Sequence, residues 1–327
     1  MRKVLGLTAS RADYDLMSLL FRHLRAEEGI ELKLLVSGAH LSPTFGHGVE
    51  QIRRDGFDIL LTLETLLDAD SLASRIKSAA ILLQNAIDVV AFWRPDVLLF
   101  AGDREEVIVG GLLGAYLEIP TVHFFGGDHV QDSHVDNPVR HATSKLSTVH
   151  MVSLEEHRQR LMRMGEHPER IHCIGSIALD KFREHQPVDL AALRQRFGLP
   201  ESFADFALVI FHPVAGEREE AHVYFENILS ELKARGIPAF VGAPNSDPMN
   251  RSLFEVAARY REEAGFCFYR SLDRDLFLSI YKNSRFIIGN SSSGVIEAAS
   301  VPIPAINVGQ RQRGRLAGEN VVFCGTS

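Results

Sequence analysis

The segment Gly289-Asn290-Ser291-Ser292-Ser293-Gly294 follows the apolar run 286–288 and leads into a helix-like stretch, 294–300, that carries Glu297. Small residues let successive backbone N–H groups approach an anion, serine hydroxyls add donors, and a helix N-terminus contributes a favourable dipole. This is the composition of a phosphate cradle, and equally of a serine-rich turn with a capping serine. Glu297, one turn into the helix and repelled by phosphate, suits ribose hydroxyls instead. Arg311-Gln312-Arg313-Gly314-Arg315 follows the next strand pattern, and Arg11 follows the first one. Guanidinium forks match phosphate oxygens, so Arg11, the serine loop and Arg311 together suit a diphosphate.

Gly102-Asp103-Arg104-Glu105-Glu106 puts Asp103 at the tip of an apolar strand, either as a helix cap or as a general acid or base. Five histidines lie from His123 to His150, interleaved with Gly126-Gly127-Asp128, Asp132, Asp136 and Arg140-His141. The spacings 129 to 134 and 134 to 141 do not make the i, i+4 pair of a helical metal site, and no CxxC accompanies them. Neither a metal nor another cofactor is therefore expected. His212-Pro213 ends a further buried strand, where the ring is a candidate for proton transfer or a satisfied core histidine. Pro244-Asn245-Ser246-Asp247 offers an amide to a nucleotide, or is simply a turn. Gly110, Gly111 and Gly114 lie inside a helix pattern and predict close helix packing rather than a dinucleotide fingerprint.

The elements that must position these residues alternate. Strand patterns at 4–8, 31–37, 97–101, 120–124 and 150–153 are separated by helix patterns at 15–25, 48–54, 71–93, 105–117, 139–147 and 154–164. A polar, proline-containing stretch at about 181–205 reads as a linker, and the alternation restarts at 207–211 and runs to a last strand pattern at 321–324. The expectation is an α/β protein of two Rossmann-like doubly wound domains facing across a cleft, 1–180 and 206–327, with ligand chemistry at the carboxyl ends of the strands.

At 327 residues there is length for two substantial cores, and 46% hydrophobic with 24% charged residues argues against a disordered or fibrous chain. Lys plus Arg total 35 against 42 for Asp plus Glu, a formal net charge of -7, so no global positive field gathers nucleic acid or anionic lipid. Three scattered cysteines fit a reducing compartment. The apolar run after Met1-Arg2-Lys3 is too short for a signal-peptide core. A cytoplasmic protein with no nucleic-acid or membrane partner is expected.

Taken in order along the chain, Ser10-Arg11-Ala12-Asp13-Tyr14, residues 38–46 around His40, Gly102-Asp103-Arg104-Glu105, residues 140–147, Phe211-His212-Pro213, residues 244–247, 289–294 and 307–312 resemble the UDP-N-acetylglucosamine 2-epimerase family. The likeness is greatest to its hydrolysing branch from sialic-acid and legionaminic-acid biosynthesis. The resemblance implies a GT-B-like fold, a UDP-sugar substrate and a homodimer or higher oligomer. It implies UDP contacts from Arg11, Asn245, Ser291, Ser292, Gly294, Glu297 and Arg311. It places His40, Asp103, Arg104, Asp136, Arg140 and His212 around the sugar and pyrophosphate. The implied reaction removes the C2 proton, expels UDP from C1 to form a 2-acetamidoglucal, and adds water from the other face to give an N-acetylmannosamine-type sugar. Asp103 and Asp136 form the implied acid/base pair, with Asp128 and His212 completing the catalytic set.

The chain departs from the family pattern at Phe125, where relatives commonly carry a glutamate or histidine; Asp128 stands where many hydrolysing members have glutamate. Asp15 is expected near Arg11, orienting it or competing with phosphate. Relatives end in a further helix on the first domain, whereas no closing helix follows 321–324 here. Non-hydrolysing epimerisation, action on UDP-diacetylbacillosamine, a catalytically weakened UDP-sugar binder and a GT-B glycosyltransferase are the competing readings.

Overall fold

The computed structural model describes residues 1–130, 135–214, 217, 219–301 and 303–326. The chain divides into two compact units, one of residues 1–129 and 135–181 and one that begins at Phe182 and takes in Val130.

In the first unit, β1 (Arg2–Thr8), β2 (Ile30–Ser37), β3 (Ile59–Leu63), β4 (Val97–Ala101), β5 (Thr121–Phe124), β6 (Val149–Val152) and β7 (Ile171–Cys173) form one parallel sheet in the order β3-β2-β1-β4-β5-β6-β7. The helices are α1 (Arg11–Ala26), α2 (Val49–Arg54), α3 (Leu72–Trp93), α4 (Glu105–Tyr116), α5 (Asp136–Leu146) and α6 (Glu155–Arg163). The strand order reverses between β1 and β4, and such a crevice is where open α/β sheets take ligands. Leu5, Leu7, Leu98 and Phe100 point to one side against Leu82, Ala86 and Val90 of α3 and Val107, Val109 and Leu113 of α4. Val4, Leu34 and Leu99 point to the other against Met17 and Phe21 of α1 and Ile52 of α2. Strands β3 and β7, at the two edges, lie outside the strand patterns of the sequence.

Helix α4 packs at minimal distance. A Cβ on Gly110 would stand 2.7 Å from Phe100, one on Gly111 3.2 Å from Leu146, and one on Gly114 2.1 Å from Thr121. The glycines thus do serve packing. Helix α3 is apolar and long enough to cross a membrane, yet its residues Ser74, Ser78, Leu82, Ala86 and Val90 form a buried stripe four apart, the pattern of a helix packed along one side.

In the second unit, β8 (Ala207–Ile210), β9 (Ala239–Gly242), β10 (Phe266–Tyr269), β11 (Phe286–Gly289), β12 (Ala305–Val308) and β13 (Val321–Cys324) form a second parallel sheet, order β10-β9-β8-β11-β12-β13. Its helices are α7 (Lys181–Glu184), α8 (Leu190–Phe197), α9 (Ala221–Ala234), α10 (Asn250–Tyr260) and α11 (Arg274–Asn283). The 181–205 stretch is not a loose linker. Leu193 and Phe203 are buried in the same cluster as Phe206, Phe240 and Ile280, with Phe182, Val188, Leu190, Phe197 and Leu199 packed against it. Those apolar residues drive it onto the second sheet despite its prolines.

Candidate active site

The chemistry-bearing residues of the first unit collect at the carboxyl end of its sheet. Asp103 follows β4 and Asp128 follows β5, while Asp136 opens α5 and Arg140 lies one turn later on the same face. Arg140, 4% exposed, is the hub. Its Nη1 donates to Asp128 Oδ2 at 2.7 Å and to the Phe125 carbonyl at 3.3 Å, and its Nη2 pairs with Asp103. Asp128 also accepts the backbone N–H of His129 at 2.8 Å and lies 3.5 Å from His157 Nε2. Phe125 thus contributes its carbonyl, while its ring packs against the core beside α1. Arg75 of α3 donates to Glu105 Oε2 at 2.6 and 3.0 Å and reaches Asp136 Oδ1 at 3.9 Å, tying the starts of α4 and α5 together. Burial pushes Glu105 up, but the charge of Arg104 and the hydrogen bond and charge of Arg75 outweigh it and bring its pKa below the ordinary value.

Two histidines beneath this cluster are held neutral. Fully buried His123 contacts the Gly102 carbonyl through Nε2 at 2.9 Å, which requires the proton on Nε2 and leaves Nδ1 an acceptor 3.1 Å from the Ser144 hydroxyl, whose one proton is shared with the Arg140 carbonyl at 3.0 Å. Burial pushes its pKa down to about 4. His129 and His141 stack with rings 10° from parallel and Nδ1 to Nε2 at 3.2 Å. Burial first, then the charges of His129 and Arg140, lowers His141 to about 4. Spacing gave no hint of this pairing across twelve residues. Asp132 and His134 lie outside the described residues.

At the end of β1 the Thr8 hydroxyl donates to Asp13 Oδ1 at 2.6 Å. Buried His40 must therefore donate from Nε2 to Thr8 Oγ1, at 2.9 Å. Asp13 also accepts from the Ala9 and Ser10 backbone at 3.0 and 3.2 Å and closes a capping box with Ser10. Arg11 is exposed at the start of α1. Asp15 does not serve Arg11 as the sequence suggested; it pairs with buried Lys181. Thr8, Asp13 as the orienter of His40, Arg75 and Glu106 come into view only through three-dimensional proximity.

The second unit builds its end of the sheet from amides. Asn290, fully buried after β11, accepts from the His212 backbone N–H and donates to the His212 carbonyl, both at 2.8 Å. Its carbonyl accepts from Arg311 Nη1 at 2.9 Å and Gln312 Nε2 at 3.0 Å. His212 Nδ1 accepts the Asn245 backbone N–H at 3.2 Å, so the neutral ring carries its proton on Nε2 and offers a hydrogen-bond donor, not a base. The Asn245 amide is taken up locally, donating to Asp247 Oδ2 at 2.6 Å and accepting the Asp247 N–H at 3.2 Å, so the turn reading describes it better than a nucleotide contact does.

The expected helix 294–300 is instead a single π turn, Ser293–Glu297, followed by a 3₁₀ turn, Ala298–Ser300. Ser291 Oγ accepts the Ser293 N–H at 3.3 Å, and the Ser293 hydroxyl donates to Glu297 Oε2 at 2.9 Å. The Tyr281 hydroxyl supports the loop from below, donating to the Ser293 carbonyl at 2.9 Å. Burial, helped by the charge of Glu297, pushes that phenol up. Ser292 and Gly294 are half-buried in this turn, and a Cβ on Gly294 would meet only Ile287 at an ordinary 3.6 Å. The indispensable glycine is Gly289, at φ +147, where a Cβ would stand 2.0 Å from the Ile210 carbonyl oxygen.

A protein-family model described as UDP-N-acetylglucosamine 2-epimerase matches residues 22–327. The chain belongs to the UDP-N-acetylglucosamine 2-epimerase family. Among the relatives of this epimerase-family chain, UDP-N,N'-diacetylbacillosamine 2-epimerase (hydrolyzing) of Legionella pneumophila is 34% identical over 98% of this chain and 84% of its own length. The UDP-N-acetylglucosamine 2-epimerase of Neisseria meningitidis is 28% identical over 98% of this chain and 83% of its own. The crystal structure of Methanocaldococcus jannaschii UDP-GlcNAc 2-epimerase in complex with UDP-GlcNAc and UDP has a TM-score of 0.77 at 16% identity, covering 100% of this chain and 89% of that one. The Neisseria meningitidis UDP-GlcNAc 2-epimerase bound to UDP-GlcNAc gives 0.75 at 15%, covering 93% and 82%. At these identities the structures establish the fold, two parallel-sheet α/β domains of GT-B-like type.

Proposed function

We propose that this epimerase-family chain is a hydrolysing 2-epimerase of UDP-N-acetylglucosamine or a related UDP-sugar such as UDP-diacetylbacillosamine, serving sialic- or legionaminic-acid-type biosynthesis. The observation that carries the reading is Arg140 paired with Asp103 and Asp128 at the carboxyl end of the first sheet, with Asp136 one turn before Arg140 on α5. The 34% identity to a hydrolysing relative favours the hydrolytic outcome.

In the first step a carboxylate takes the C2 proton, and the C1–O bond breaks with its electron pair going to UDP, leaving a 2-acetamidoglucal. In the second, water adds across the double bond, its oxygen to C1 and a proton to C2 from the opposite face. We assign these proton transfers to Asp103 and Asp136, with Arg140 fixing Asp103 and Asp128. Arg11, His40 and Arg104 are assigned to the sugar and diphosphate. Ser291, Ser292, Gly294, Glu297, Arg311 and the His212 Nε2–H are assigned to UDP, where cationic and dipolar donors stabilise its departure.

The test is incubation with UDP-GlcNAc and, separately, UDP-diacetylbacillosamine in D2O, followed by NMR. Free 2-epimerised sugar with deuterium at C2, together with UDP, supports the reading. A retained UDP-linked epimer establishes the non-hydrolysing reaction, and binding without C2 exchange leaves a UDP-sugar binder. Asp103→Asn should lower turnover at least about 10²-fold, the scale of a lost general acid or base, while UDP affinity stays within a few-fold. Unchanged turnover would remove Asp103 from its role.

A further inference from the structure

Glu106 has no part in the chemistry assigned above, and its surroundings are unusual for a carboxylate. It lies in the first turn of α4, 8% exposed, next to Arg104 and Glu105. Its Oε1 stands 3.1 Å from where a Cβ on Gly38 would be, so the carboxyl is wedged against the backbone that follows β2. Its Oε2 has no hydrogen-bond partner among the described residues. Burying a carboxylate oxygen without such a partner is unfavourable, and a protein keeps one only where another group offsets the cost. The nearest opposite charge is Arg104, whose Nε is 3.6 Å from that same Oε2, too long for a hydrogen bond and well within Coulomb range.

Arg104 therefore stands between two carboxylates of its own loop. Its Nη2 is 3.6 Å from Glu105 Oε1, but the other Glu105 oxygen is committed to Arg75. Among the described residues no ion pair joins Glu106 to a second cation. From α1, the Asp13 charge also acts on Glu106, and Asp13 is itself held by Thr8 and by the backbone, with His40 Nε2 3.9 Å away. The charged groups facing Glu106 are thus Arg104 and Glu105 on its own element, Asp13 on α1, and Arg75 of α3 acting through Glu105.

We propose that Glu106 is a positioning residue for Arg104: its ionised carboxylate holds the guanidinium, and protonation releases that guanidinium to the diphosphate of a bound UDP-sugar. The inference rests on the assignment of Arg104 to the substrate. A diphosphate and an ionised Glu106 compete for one cation in a confined space, so anion binding favours the protonated carboxyl. Thermodynamic reciprocity then requires protonation to favour anion binding by the same factor. The switch operates near neutrality, because burial, followed by the charges of Glu105 and Asp13 and opposed by Arg104, raises Glu106 to about 7.

The experiment is calorimetric binding of UDP-GlcNAc and of UDP-diacetylbacillosamine at pH 6 and pH 8 to the full chain in the Asp103→Asn background, which stops hydrolysis to UDP; wild type in this experiment denotes that background with Glu106 intact. A UDP-sugar diphosphate has no ionisation of its own between these values, whereas free UDP does. Wild type should bind about tenfold more weakly at pH 8, and at pH 7 should take up a fraction of a proton on binding, read from two buffers of different ionisation enthalpy. Glu106→Gln, neutral at every pH, should bind at both pH values as wild type does at pH 6, without that proton uptake. Wild-type affinity equal at both pH values, or a Glu106→Gln profile identical to wild type, overturns the inference while leaving the proposed function standing. The proton-uptake measurement needs only wild type, so it decides the matter even if the variant fails to fold. Absence of binding by either UDP-sugar removes the proposed function and this inference with it.

Discussion

The two units share the order of their first six strands and place their candidate site residues at the same end of their sheets, yet they use different materials. In the first, charged side chains hold one another: Arg140 links Asp128 and Asp103, Arg75 links Glu105 and Asp136, and Glu106 faces Arg104. In the second, neutral amides and backbone do the holding, with Asn290 fastened to His212 on one side and to Arg311 and Gln312 on the other. Proton transfer needs groups whose charge changes, and such groups must be balanced by other charges. On the proposed reading, diphosphate binding needs donors fixed in advance, and contacts that do not titrate, the Arg311 guanidinium on the Asn290 carbonyl among them, provide these at every pH.

The contrast predicts different kinds of failure. Gly289→Ala should be the most damaging change, costing about 4 kcal/mol through a forbidden backbone conformation and a collision with the Ile210 carbonyl. Urea unfolding should find that loss equal at pH 5 and pH 7, and a pH-dependent loss would break the comparison. Arg140→Leu should cost about 3 kcal/mol at pH 7 by stranding the two carboxylates, and adding Asp103→Asn and Asp128→Asn should restore part of it. A triple variant no more stable than Arg140→Leu alone would show that packing, not charge balance, sets the cost.

The smallest effect sharpens the picture. His123 sits at about 4 in the folded state against about 6.5 in an unfolded chain, so the unfolded state binds the extra proton. Its contribution is intact above about 6.5 and is lost as pH falls from there towards 4. His123→Gln should therefore lose about 1–2 kcal/mol less than wild type between pH 7 and pH 5. An identical slope in both proteins would show that His123 carries no part of the acid sensitivity.

Much of the frame was legible because apolar runs end in small or charged residues at the tips of parallel strands, as at Gly102-Asp103 and Phe211-His212. The edge strands were not. In β7 only Ile171 is buried, and the leucines of β3 run on into Leu66 and Leu67, which suits a helix as well as a strand. The 181–205 stretch reads as polar because its apolar residues are spaced among prolines and charges, and only tertiary packing reveals them as core. Candidate residues are legible where a motif carries them, but partnerships such as Asp13 with Thr8 and His40, or Asn290 with His212, depend on three-dimensional proximity. Glu106 was hidden because it looked like one more surface acid in a charged run.

The three glycines of α4 carry a consequence for mutation and inheritance. They fix the depth of a helix whose first turn bears Arg104, Glu105 and Glu106, and Gly114 sits about 12 Å along the axis from that turn. A methyl group added there would lift the far end of the helix like a shim under a beam and tilt the near end. Sequence drift at a position with no charge and no polarity would then be felt among the charged groups at the opposite end of the helix.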